Sequence, residues 1–559
     1  GAEMTKIRGL GFFVLALVVG LLLGGVEAQK AKKAKPDKRE LAKAWGPVER
    51  ILNDTTAEVT EQVKAVESVT SLLDHDTAVK LLGYWEDCDS AWEGAVGLRG
   101  PLAKRKQRSQ RDPESFKVAN AILKAVREMP FPDEALEFSK EIEDFENFGL
   151  RQRLAMIDAI AGHAATDEDC FAWLKETAAD SSAEADVRLV TTRHLGAFND
   201  NVECFEIIVN NLKDRSWRVR DAAVETIPAF RKMDEEKVIL ALINALAREK
   251  GKLRKTISEA LQDITGEKIG TDPDEWSDWF KNKKRKEEGL PPRRGKKGGG
   301  TRVKIFGTEN FSDRYVFLID TSTSMTKRIT PEQKEELKRS ITKGPKDEED
   351  KRRPLDWTKI NTKLDLAREE MIRSLEILDP ELTTFTIISF SEDMTLFKPE
   401  LVPTSEANVK AAADWLRALS GRKQTNIFGA LDAAYDLSEK LGGVDTSKRK
   451  KGKKKKDDGP TTGHRDDGLP DTIFFYTDGW ATTGKYTGDE AEAKAMGREK
   501  YARDVYGPTM AQMVDEIAER NRIARITLHA IGVGNPQDRF TLRKLAKSCG
   551  GEYVAIGAK

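Results

Sequence analysis

Apolar positions along the chain follow two different periods. From about residue 38 to residue 283 they recur three and four apart, and strand-like alternation is scarce. That spacing gives each segment one core-facing stripe and predicts helix almost throughout. After residue 300 the pattern changes. Short unbroken apolar runs at Tyr315–Asp320, Thr384–Phe390, Asp471–Tyr476, Ile526–Ile531 and Glu552–Ile556 read as strands buried on both faces. Helical patterns at Leu364–Leu378, Asn408–Leu419, Phe428–Leu441, Thr509–Asn521 and Arg539–Ser548 alternate with them. Strands joined by crossover helices make a doubly wound parallel sheet covered on both faces. The expected fold class is therefore multidomain, an α-helical repeat half followed by an α/β doubly wound, Rossmann-like half.

The helical half carries an internal period. Arg153, Arg188, Arg220 and Arg254 are 35, 32 and 34 residues apart, and each opens a similar amphipathic segment. A period near 34 built from helix pairs predicts an α-solenoid, because a lone pair cannot bury its apolar face. Leu212-Lys-Asp-Arg-Ser-Trp-Arg-Val-Arg-Asp-Ala-Ala-Val resembles a HEAT repeat, with a turn Asp, a Val-Arg pair and small residues where helices approach. The resemblance covers about residues 145–268. The repeat arginines are expected to bond to neighbouring repeats rather than to a ligand. Trp276 and Trp279 are expected to cap the last repeat.

At the N-terminus Lys6 and Arg8 precede an apolar run from Gly9 to Val26, and Val26-Glu27-Ala28 places small residues where a signal peptidase reads. Residues 4–28 thus read as a secretory signal cleaved after Ala28. An uncleaved anchor is the competing reading, since the 18 residues of the run are just enough to span a bilayer. Either way, residue 29 onward is expected in an extracytoplasmic space, whether periplasm, cell envelope or medium. The residues before Met4 suggest that Met4 is the true start or that the chain is a fragment.

Charge sharpens the domain limits. The 559 residues hold 94 Lys+Arg and 94 Asp+Glu, so the net charge is zero and a globally basic nucleic-acid coat is not supported. The basic residues are instead clustered. Residues 281–300 hold nine Lys or Arg with Pro and Gly, which predicts an extended linker. The expected domains are then a repeat domain at 38–283, a linker at 284–302 across which few contacts should run, and a second domain at 303–559. Charged insertions fall at about 326–360, 445–470 and 485–508 in that second domain. Solvated loops are the plain reading of these runs, and contact with an anionic envelope polymer is the functional one. Four cysteines form no C-x-x-C pair, and five histidines form no H-E-x-x-H, which excludes the common zinc motifs. Export makes a Cys170–Cys204 disulfide permissible, but separate buried thiols are the expected state.

The chemistry stands at the end of the first strand, Asp320-Thr-Ser322-Thr-Ser324. One carboxylate and two hydroxyls fall at i, i+2 and i+4 where strand gives way to loop, the edge at which open α/β sheets bind ligands. Oxygen-only ligands suit a hard divalent cation, Mg²⁺ first, with Ca²⁺ and Mn²⁺ also compatible. Thr425 in Gln-Thr-Asn-Ile-Phe-Gly and Asp478 in Phe-Phe-Tyr-Thr-Asp-Gly add oxygen donors at other loop ends. Local turn capping by Asp and Ser is the bland alternative. A nucleophilic serine is disfavoured, because no G-x-S-x-G or evident His partner accompanies it.

These five positions resemble the metal-ion-dependent adhesion site of the von Willebrand factor A domain, D-x-S-x-S followed by a distant Thr and a T-D-G Asp. The resemblance spans about residues 303–559, including Leu542-Arg-Lys-Leu-Ala-Lys-Ser-Cys-Gly-Gly-Glu-Tyr-Val as the closing helix and strand. Thr323 stands where many members carry Gly, and the helix that often follows the last strand is expected to be missing or truncated. Together with the signal segment, the resemblance implies a non-enzymatic, exported binding or scaffold protein, whose metal keeps an open position for an acidic group of a protein or other ligand. Helical repeats followed by such a domain also resemble Ro-type RNA-binding ring proteins, though the signal segment argues against nucleic acid. An envelope enzyme of unseen chemistry is the third reading.

Overall fold

The computed structural model describes residues 38–91, 111–144, 147–287, 303–305, 308–310, 312–342, 352–442, 469–534 and 538–556. The signal segment, most of the linker and nearly all of the 445–470 insertion lie outside them.

The helical half runs from Lys38 to Glu287. The four repeat arginines each lie on the first helix of a pair: α1 (Leu150–His163), α2 (Ala185–Leu195), α3 (Trp217–Thr226) and α4 (Gly251–Thr265). These four stack on one another in turn, and the second helices, Glu168–Ala179 and Val202–Asn211, pack together behind them. Asp167 and Asn201 cap those second helices by accepting from the amides of Cys170 and Cys204. Both thiols are thereby turned into the helical core, and all four cysteines are buried and free. The arginines tie one pair to the next. Arg188 grips Asp214 with two bonds of 2.9 Å. Arg220 reaches Glu249 at 2.8 and 3.2 Å. Trp276 is fully buried against the last pair, its indole N–H donating to the Gly270 carbonyl at 2.8 Å. The helix it belongs to continues through Glu287, so the first residues assigned to the linker are helical.

The second half is built on a sheet of β3 (Arg314–Asp320), β4 (Thr384–Phe390), β5 (Met394–Leu396), β6 (Val402–Pro403), β7 (Thr472–Thr477), β8 (Thr527–Val533) and β9 (Tyr553–Ile556), preceded by a small hairpin of β1 (Val303–Ile305) and β2 (Thr308–Asn310). The order is β5-β4-β3-β7-β8-β9. Counted along the chain this is 3-2-1-4-5-6, the doubly wound order, whose direction reverses between β3 and β7. The sheet is mixed rather than wholly parallel. β5 and β6 pair antiparallel with β4 because the connection from β4 to β5 is a turn, too short for a crossover helix. Alternate residues feed cores on the two faces: Val316, Leu318, Ile473 and Phe475 on one, Phe317, Ile319, Phe474 and Tyr476 on the other. Helices α5 (Lys363–Glu376), α6 (Ile427–Gly442), α7 (Gly507–Ala524) and α8 (Arg539–Ser548) cover them.

The expectation that few contacts would cross between the halves does not hold. The far end of α7 is held in the helical half by charge. Arg522 makes two 2.7 Å bonds to Asp158. Arg525 bridges Asp221 at 2.6 Å and Glu225 at 3.0 Å. Arg151 reaches Asp89, Glu516 and Glu519. Lys485, fully buried, joins Asp89 to Glu516. Phe116, a residue of the helical half, packs edge-on against Tyr486 at 4.7 Å. A composition read along one segment says nothing of surfaces that meet elsewhere, and these charges look solvated in sequence.

Candidate functional site

β3 and β7 lie side by side and parallel, so their carboxyl ends stop at the same edge. Asp320 ends β3 and Asp478 follows the last residue of β7, one on each side of the point where the strand order reverses. That placement follows from register: Ile319 pairs with Tyr476. The loop after Asp320 tightens into a short 3₁₀ turn, Thr323–Thr326.

Four of the five sequence-selected residues form one hydrogen-bonded chain. The Ser322 amide donates to Asp320 Oδ1 at 2.8 Å. Ser322 Oγ and Ser324 Oγ are 2.9 Å apart. Ser324 Oγ donates to Asp478 Oδ1 at 2.9 Å. Thr425 reaches the same edge through its backbone. Ser322 bridges Arg422 in parallel, three residues before Thr425. The amide of Thr425 donates to Thr482 Oγ1 at 2.8 Å, and its carbonyl accepts from the Thr482 amide at 2.9 Å, in the loop after Asp478.

Three further contributors did not stand out in the sequence. Thr477 donates to Asp320 Oδ2 at 2.6 Å and accepts from the Gly479 amide at 3.0 Å, which orients the first carboxylate. Lys363 Nζ stands 3.1 Å from Asp478 Oδ2. Trp480, 40% exposed, stacks on Tyr506 at the rim. Thr477 could have been read from its place in Thr-Asp-Gly. Lys363 carries a fainter signal: a cation in the first turn of a capped helix opposes the helix dipole. Gly479 has φ +99, and a Cβ there would stand 2.9 Å from the Asp538 amide, so the Asp478 loop closes on the start of α8 only with glycine.

Asp320 is completely buried. Burial, and next the neighbouring charge of Asp478, push its carboxyl up from 3.8 to about 7, against the bonds from Thr477 and Ser322. Two carboxylates crowded at one buried edge, with one ammonium beside them, form a site that gains from more positive charge. Among the described residues no group of three His, Cys, Asp or Glu could hold a metal. A cation here would therefore depend on the hydroxyls as much as on the carboxylates, and that all-oxygen donor set fits a hard divalent ion.

A cleft of about 1320 Å³ lies elsewhere, between the halves, lined by Asp158, Asp221, Lys252, Arg522, Thr472 and Thr527 among others. Thr472 and Thr527 begin their strands, so this cleft opens at the sheet edge opposite Asp320. Asp158 and Asp221 are already bonded to Arg522 and Arg525 there.

No family model matches the chain. A stretch of 81 residues is 38% identical to inter-alpha-trypsin inhibitor heavy chain H4 of Bos taurus, covering 14% of this chain and 9% of that protein. Solved structures similar to it include a von Willebrand factor type A protein from Catenulispora acidiphila, at 13% identity over 44% of this chain and 40% of that one, TM-score 0.24. Another is BatB from Bacteroides thetaiotaomicron, at 13% identity over 44% of this chain and 90% of that one, TM-score 0.23. A third is an aerotolerance-related membrane protein from Bacteroides fragilis, at 13% identity over 44% and 92%, TM-score 0.24. Scores of that size leave the fold to rest on the strand order and the loops that follow β3 and β7. No helix among the described residues is long and apolar enough to cross a membrane.

Proposed function

We propose that the chain is an exported binding or scaffold protein, in which a von Willebrand factor A-type domain presents a divalent cation to an acidic group of a protein partner. The observation that carries this reading is the Asp320–Ser322–Ser324–Asp478 chain at the reversal point of the sheet. Asp320, Ser322, Ser324, Thr425 and Asp478 would hold Mg²⁺, directly or through water, and the ion would supply an electrophilic open position. The two carboxylates balance its charge, but with neutral hydroxyls as the other donors its coordination shell is left unfilled, so a partner carboxylate is the matching ligand. The hydroxyls and carboxylates bond to one another as an all-oxygen donor set with no histidine among them, which favours binding over catalysis. The helical half serves as a HEAT-like scaffold, and its charged grip on α7 supports a single working unit. The apolar N-terminal run supports an extracytoplasmic location.

The test is capture of partners from envelope extract by the mature chain in Mg²⁺ and in EDTA, repeated with Asp320→Ala. Capture lost in EDTA and in the variant is the expected result. Capture indifferent to both would refute the reading.

A further inference from the structure

Lys363 is the first residue of α5, directly after the N-cap Thr362. A cation there sits at the positive end of the helix dipole, yet the turn is fixed by a reciprocal capping box between Thr362 and Asp365. Its stem lies across the end of β8. A Cβ on Gly534 would stand 2.6 Å from Lys363 Cε, and Gly534 adopts φ +72. The positive φ favours glycine at that position, and the missing Cβ leaves room for the lysine stem. The stem's path delivers the ammonium to Asp478 Oδ2 at 3.1 Å, with the two side chains only 10% and 6% exposed. The other oxygen of Asp478 accepts from Ser324. One positive charge beside two carboxylates leaves that edge net negative.

Resting on the cation-binding reading of this edge, we propose that Lys363 is a built-in competitor for the metal. Its ammonium holds Asp478 until a divalent ion displaces it, and loading the ion drives the lysine towards solvent. The site then has two arrangements, lysine in or metal in. Whatever stability the lysine gives the first is subtracted from the apparent affinity of the metal. The device offsets the charge of Asp478 in the metal-free protein and sets a threshold for loading.

The experiment uses the full mature chain, titrated calorimetrically with MgCl₂ and MnCl₂ as wild type, Lys363→Met, Lys363→Arg and Asp320→Ala, each first shown to melt cooperatively. Methionine keeps an unbranched stem in the channel without charge. Lys363→Met is expected to bind metal at least tenfold more tightly than wild type, about 1.4 kcal/mol, and Lys363→Arg within about threefold of it. In wild type alone, acylation of the Lys363 amine, read by mass spectrometry, should rise several-fold when Mg²⁺ is added. Wild type binding metal with Lys363→Met no tighter, or acylation unchanged by Mg²⁺, overturns the proposal and leaves the metal site standing. Absence of binding in wild type and variants alike overturns the metal site and the proposal together. Should Lys363→Met not fold, the acylation result decides.

Discussion

Arg525 offers the sharpest test of how the two halves are joined. It is the only non-glycine residue at positive φ among those described, at +57, in the turn that ends α7. A side chain in that region costs roughly 1–2 kcal/mol relative to glycine. What holds it there is its guanidinium, which bridges Asp221 and Glu225 across the interface and is kept charged by them despite burial that would lower its pKa. The Asp221 side chain is 3% exposed. Removing one partner of a buried pair leaves an uncompensated charge, about 3–5 kcal/mol. Glu225 keeps a second partner in Arg193 at 3.1 Å, which favours the lower end. Arg525→Ala should therefore lose about 3 kcal/mol. Arg525→Gly, which loses the same bridge but relaxes the backbone, should be about 1 kcal/mol less destabilised. The assay is urea unfolding followed by tryptophan fluorescence, with Asp221→Ala added to close a double-mutant cycle. Stability of Arg525→Ala within about 0.5 kcal/mol of wild type, the range of an inconsequential surface change, would mean that the interface is not formed in solution.

Three further outcomes are expected. In EDTA, stability should fall as pH rises from 3.8 towards about 7, because the folded state holds the Asp320 proton more tightly than the unfolded chain does. Asp320→Asn should remove that slope, stabilise the metal-free protein at pH 8 by up to about 4 kcal/mol, and abolish any Mg²⁺-dependent rise in Tm. Glu516 behaves oppositely. Burial pushes its carboxyl up, but Lys485 and Arg151 together hold it down at about 2. Its stabilisation is therefore present above pH 4.5 and lost as pH falls towards 2. Glu516→Gln should flatten the acid limb by about 3 kcal/mol in a pH-melting series. Trp480→Ala should weaken capture of the partner by about 1–2 kcal/mol while leaving calorimetric Mg²⁺ binding unchanged, since the indole lies at the rim and none of its atoms is an oxygen ligand.

The parts of the fold that were legible in the sequence are those that local pattern decides. β4 runs from Thr384 to Phe390 and α8 from Arg539 to Ser548, as the apolar run and the 3.6-residue spacing indicate. The four site residues joined by hydrogen bonds were legible because a strand end fixes where its last side chains must lie. β5 and β6, three and two residues long, are too short to give a period. Lys363 was hidden because its partner Asp478 is 115 residues away and only the packing of α5 over Gly534 brings them together. The interface was hidden for the same reason. Arg522, Arg525, Asp158 and Asp221 read one by one as surface charges, and burial is what makes them structural.

Asp320, Ser322, Ser324, Thr425 and Asp478 are together expected to hold one divalent cation. A crystal of the full mature chain grown with MnCl₂, measured for anomalous scattering, tests it most directly. A single strong peak is expected at the carboxyl ends of β3 and β7, among those five residues, with the Lys363 ammonium moved away from Asp478. A map without a peak at that edge, with Lys363 still bonded to Asp478 at saturating Mn²⁺, would contradict it.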